Sequence, residues 1–318
     1  MITGFSKASL YFFLIFVFAA LVLDGLVHDW GRLSGSGENL ITFFKESLWP
    51  PNWSVIEPQA YPVCTAYPII DFTCSTAWIG MVETIKIAFV STVMGSIISL
   101  PIGLLAARNL NPKPLSYIAR FILAAARSLP SIIWAIFFVI LVGFGPLSGV
   151  LAMTIYTVGY LGKLQYESIE GMSSIPLEAA SSMGLSKLET AIGVVIPESA
   201  NHLISQAIFM FEYNVRHGTV IGIVGAGGIG YYINLYLRFL QYDKVIAYLI
   251  IIFAVVLLID FLSIYARSFF TEESDVKRPS WWGVLLPADL VTTLKGNCLL
   301  YTSPSPRDRS VSRMPSSA

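Results

Sequence analysis

Glu212, Asn214, Arg216 and His217 stand in a stretch of chain otherwise apolar enough to cross a bilayer. A charge at the bilayer centre costs roughly 2.5–3.5 kcal/mol even on the milder insertion scale, so such side chains face a protein interior or a wet path. Glu212 and Arg216 share one helical face, with the acid on the N-terminal side as pairing prefers. Two chemistries are open to them. Either the pair satisfies itself and fixes helix packing, or Arg216 offers its planar fork to an anionic oxygen group on a translocation pathway lined also by Glu212, Asn214 and Thr219. His217 is a residue type that titrates near neutrality, yet a lone histidine in a membrane more often serves packing.

Just downstream, Gly225-Ala226-Gly227-Gly228-Ile229-Gly230 matches the G-x-G-x-x-G dinucleotide fingerprint letter for letter. That fingerprint requires a preceding strand and a following helix in a soluble unit, and this sequence offers neither. Gly225, Gly227, Gly228 and Gly230 are instead expected to break a helix at the outer face, where flexible backbone can reach water or a docked partner. Gly218 and Gly222 have the spacing that lets membrane helices approach closely. The chain carries no Walker A loop, no H-E-x-x-H, no metal-spaced Cys/His cluster and no nucleophile elbow. No catalytic residue, metal site or cofactor is expected on it.

The elements that must position these residues are membrane helices. Hydrophobic residues make up 55% of the chain and charged ones 13%, with a mean hydropathy of +0.69, too apolar for an ordinary soluble domain. A formal net charge of zero gives no reason to expect nucleic acid as a partner. The reading is an all-α polytopic membrane protein with about six transmembrane helices. Residues 1–27 form an N-terminal transmembrane helix, 28–78 an extracytoplasmic loop, 79–270 a core with five further spans, and 271–318 a tail that is disordered or foreign. The five are expected over 79–107, 129–144, 150–164, 199–224 and 245–266. Arg108, Lys113, Arg120 and Arg127 cluster after the second span, which by the positive-inside rule puts that end, and the N-terminus, in the cytoplasm. Cys64 and Cys74 then share one loop outside, where a disulfide between them is a possibility to weigh against two free thiols.

Between the fourth and fifth spans lies a short polar segment, 176–197, that must sit at a membrane face. Pro176 and Glu178 suit the first turn of a helix, Ala179 and Ala180 leave its surface low, Gly184 ends or bends it, and Pro197 marks the next boundary. This is a place for a soluble partner to dock.

Glu178-Ala179-Ala180, three residues, Gly184, nine residues, then Val194-x-Ile196-Pro197 resembles the pattern of the membrane-spanning subunits of bacterial ATP-binding-cassette importers. The resemblance implies a type I importer permease core in which Glu178, Ala179, Ala180, Gly184 and Pro197 couple to an ATPase. Asn214-x-Arg216-x-x-Thr219-x-x-Gly222 with the glycine run, Arg127-x-x-Pro130-x-x-x-Trp134 and Glu83-Thr84 are similar to the phosphonate-type branch. That branch implies an importer of phosphonate, phosphite or phosphate in the bacterial inner (plasma) membrane. It further implies an ATPase subunit dimer that binds ATP and Mg, an extracytoplasmic substrate-binding protein, and a second permease copy as homodimer partner. The competing classes are an ion-coupled secondary transporter, which would need an inverted repeat and buried acidic sites, a membrane enzyme, and a permease for another small solute such as an amino acid.

Overall fold

The computed structural model describes residues 7–27, 31, 35–58 and 71–270. Among them all regular structure is helical: α1 (Lys7–Leu26), α2 (Ser36–Phe43), α3 (Thr76–Ala106), α4 (Lys113–Ser128), α5 (Ser131–Val142), α6 (Pro146–Gly171), α7 (Ser174–Ser182), α8 (Lys187–Thr190), α9 (Ile196–Ile221), α10 (Ile229–Arg238) and α11 (Tyr242–Phe270). Cys64 and the tail from 271 onward lie outside the described residues. Cys74 is disulfide-bonded to a partner that also lies outside them.

Helix α3 is the central post. Ser75 caps it by accepting from the Trp78 N–H at 3.2 Å. It packs along α6 through small residues, because lipid gives helices no hydrophobic reason to associate and close approach must supply the attraction. A Cβ on Gly103 would meet the Gln165 side chain at 3.3 Å, and one on Gly218 of α9 would meet Thr84 at 2.9 Å. One apolar cluster joins α3, α9, α10 and α11 around Tyr248, Val215 and Ile229, and another joins α3, α5 and α6 around Met153, Ile87 and Ala135.

Three helices, α3, α6 and α11, are long and apolar enough to cross a membrane singly, and the number rises to five if each of two bent pairs is one span. The stretch expected as a continuous span over 129–144 is one limb of such a pair. Helices α4 and α5 meet at 83°, and the 12 residues of α5 reach only about 18 Å. The cause is local: a residue before proline is pushed to extended torsions, and Leu129 has φ −99° and ψ 139°. Trp134 holds the bend by donating its indole N–H to the Ala126 carbonyl oxygen at 3.1 Å.

Two further expectations need correction. The span expected from Ser199 belongs to a helical run that starts at Lys187, where Ser186 and Glu189 form a reciprocal capping box. Pro197 stands in the first turn of α9, at the boundary between that helix and the turn before it. It lies just after a π-helical turn, Ala191–Val195, whose wider bonding accommodates a residue without an N–H. The glycine run does separate two helices, α9 and α10, but it is buried and does not reach out to water. Gly222 packs so tightly that a Cβ there would lie 2.6 Å from the Gly227 carbonyl oxygen.

Candidate functional site

The docking segment begins with α7. Ser173 caps it through its side chain, so the helix starts early and Glu178 falls in the second turn, outside the zone where the first-turn dipole argument applies. The C-terminal end is a Schellman motif: the Gly184 N–H donates to the Ser181 carbonyl oxygen at 3.1 Å and the Leu185 N–H to that of Ala180 at 3.2 Å. Gly184 has φ +75° with open space where a Cβ would stand, so the constraint there is torsional and not steric. Ala180 is fully buried while Glu178 and Ala179 are exposed. Leu177 and Val195 anchor the segment on Ala107 and Ile169 at the end of α3 and α6. Ile175, Met183, Leu188 and Ile192 are left exposed, at 73, 68, 70 and 59%. That is a large apolar content for an otherwise polar hinge.

The polar residues of α9 separate into two groups. Asn214 is fully buried, and its amide donates to the Thr92 and Thr157 hydroxyl oxygens, each at 2.9 Å. In this conformation it ties α9 to α3 and α6. Replacing Asn214 by alanine should cost about 1–2 kcal/mol, within the range for interhelical hydrogen bonds in membranes, and show as a lower unfolding midpoint in detergent. Glu212, by contrast, belongs to an ionic cluster. It pairs with Arg216 and, at 3.2 Å, with Arg267, while Arg216 also reaches Asp260 at 2.8 Å. The fork of Arg216 is thus held by two carboxylates, which favours the packing role of the two open to it. Thr219 donates to the Arg216 carbonyl oxygen at 2.7 Å.

Glu83 and Thr84 are chemically explained by the fold. Their side-chain oxygens accept from the Gly228 N–H at 3.0 Å and the Ile229 N–H at 2.9 Å, capping α10 from α3. The turn is stapled on its other side by the Gly145 N–H, which donates to the Gly225 carbonyl oxygen at 3.0 Å. Sequence reading found Glu83-Thr84 only as a likeness, because the two groups they cap are remote in sequence.

Of the basic residues read as topology markers, Arg120 pairs with Glu170 and lies over the Tyr166 ring. Arg127 has no ion pair or hydrogen bond among the described residues. It lines a cavity of about 290 Å³ together with Tyr156, Tyr213 and His217.

The family of inner membrane components of binding-protein-dependent transport systems matches residues 99–267, just over half of the chain. The chain belongs to that family.

Within it, the chain is similar to permeases of named systems. It is 40% identical over 202 residues to the phosphite transport system permease protein PtxC of Stutzerimonas stutzeri, covering 63% of this chain and 74% of that one. Against the putative phosphite transport system permease protein HtxC of the same organism it is 40% identical over 185 residues, 58% and 66% of the two chains. Against the phosphate-import permease protein PhnE of Mycolicibacterium smegmatis it is 38% identical over 187 residues, covering 58% of this chain but 35% of that protein. Among solved structures, a chain of the MetNI methionine ABC transporter in an inward-facing conformation superposes with a TM-score of 0.54 at 24% identity, covering 61% of this chain and 95% of that one. That likeness speaks to the fold alone.

Proposed function

We propose that this chain is the membrane permease of an ATP-driven importer that carries phosphite, phosphonate or phosphate across the bacterial inner membrane. The cargo rests on its 40% identity to a phosphite permease. The mechanism rests on one observation: a rigidly capped helix, α7, presents exposed Ala179 and the apolar Ile175 and Met183 beside the ends of the long helices. A partner ATPase that binds ATP and Mg seats on this surface through Glu178 and Ala179, which the buried Ala180 and the turn at Gly184 hold in place, and its closure moves α7 together with α3 and α6. An external binding protein delivers the oxyanion to the outward-facing state. With α1 as a further span the N-terminus is cytoplasmic, a reading that Arg108, Lys113 and Arg120 at the α3–α4 junction support. One chain supplies half of a pathway, so a second copy completes it by a two-fold axis.

Reconstitution with the ATPase and the binding protein tests this reading. Uptake of labelled phosphite should depend on ATP and be competed by phosphonate and phosphate. ATP-independent accumulation, or indifference to all three anions, refutes the assignment.

A further inference from the structure

The bend between α4 and α5 carries Arg127, an exposed cation with no ion pair among the described residues. Helix α4 packs on Gly159, the midpoint of α6, so closely that a Cβ there would lie 2.7 Å from the Arg127 backbone nitrogen. Since α6 has 26 residues, it is about 39 Å long and Arg127 sits roughly 20 Å from either end. A guanidinium at that depth normally pairs or faces a cavity. No carboxylate satisfies Arg127 among the described residues, and the cavity it lines, about 290 Å³, has no acidic side chain in its wall.

The other walls are donors. The Tyr156 and Tyr213 hydroxyls lie 2.8 Å apart, so one donates to the other and the second O–H stays free. The Tyr213 ring is held in place by His217, stacked at 3.8 Å with its Nδ1–H donating to the Tyr213 carbonyl oxygen at 3.1 Å. Ser131 lines the cavity and opens α5, whose first-turn N–H groups carry the positive end of the helix dipole. A planar fork, hydroxyl donors and a helix start, with no acceptor charge, fit a small oxyanion. The volume admits one with several waters, at about 30 Å³ each, and a cation would find no counter-charge there.

We propose that this cavity, with Arg127 as its charged group and Ser131 and the one free O–H of the Tyr156–Tyr213 pair as donors, is a mid-membrane binding site for the transported phosphorus oxyanion. The proposal rests on the cargo assigned above. It makes Arg127, and not Arg216, the arginine that meets substrate.

The test uses the full complex with ATPase and binding protein in vesicles, with labelled phosphite as probe. Arg127→Gln should lower uptake at least ~10-fold, about 1.4 kcal/mol of binding, while the loaded binding protein still stimulates ATP hydrolysis. Arg127→Lys, a point charge without the fork, should fall between the two. Arg127→Gln uptake equal to wild type overturns the site, and so does loss of ATPase stimulation in parallel with uptake, which marks a structural role. If Arg127→Gln does not assemble, Arg127→Lys decides, and wild-type uptake by it overturns the site. A wild-type complex that moves no phosphorus oxyanion overturns the cargo and this site together, whereas failure confined to the variants overturns the site alone.

Discussion

Valine at position 184 should reduce ATP-driven uptake by ~10-fold or more while the external binding protein captures ligand as before. Gly184 sits at φ +75°, where a side chain has open space but the wrong backbone. A left-handed torsion costs an ordinary residue roughly 1–2 kcal/mol, and a β-branched one is a genuine outlier there. The cheapest relief is to undo the two Schellman bonds to Ser181 and Ala180, which lets the last turn of α7 unwind. Ala180 then leaves its buried seat and the exposed Ala179 face loses its orientation. A helix that transmits motion must be stiff at its end, so uptake should fall even though the exposed Glu178 and Ala179 are unchanged. Gly193 provides the control: a Cβ there also meets open space, but its backbone is right-handed, so Gly193→Ala should leave uptake intact. Uptake in vesicles beside ligand-stimulated ATPase activity reads both variants. Equal loss in both would remove the torsional argument.

Replacing Glu212 by alanine should destabilise the permease by about 3 kcal/mol, at the low end for breaking a buried ion pair. The carboxylate side chain is only 9% exposed and serves two guanidinium groups, Arg216 from its own helix and Arg267 from α11. Its removal takes from Arg267 its Glu212 partner on α9 and leaves Arg216 with Asp260 as its carboxylate. The effect stays at the low end because Arg216 and Arg267 are 43 and 30% exposed and retain some solvation. For a chain of this size the unfolding midpoint should drop by roughly 4–5 °C. Arg267→Ala should cost less, since Arg216 still neutralises Glu212. If Glu212→Ala instead kept the wild-type midpoint and lost uptake, Glu212 would belong to the pathway and the packing account would fall.

These expectations trace how far residues could be read before their neighbours were known. The i,i+4 relation of Glu212 and Arg216 was visible because helix geometry alone sets it, and the structure places the two in contact. Asp260 and Arg267 completed the cluster from α11, and no periodicity relates them to α9. Asn214 looked like a pathway residue for the same reason that it packs so well: a buried amide must find partners, and only the fold shows that they are Thr92 and Thr157. The glycine run was legible as a helix break, but not as a buried one, because its burial depends on Glu83, Thr84 and Gly145.

Composition and local pattern by themselves determined that this is a helical membrane protein with a short capped helix between long ones. Apolar length, the start of α7 near Pro176 and a glycine that permits φ > 0 are properties of a residue and its immediate neighbours. Only the tertiary structure decided which arginine is free. Arg216 meets Asp260, and Arg127 meets a cavity, because the bend at Pro130 and the small Gly159 bring α4 against the middle of α6. Charge satisfaction in a low-dielectric interior is a relation between distant segments, and the order of residues along one chain does not specify it until those segments pack.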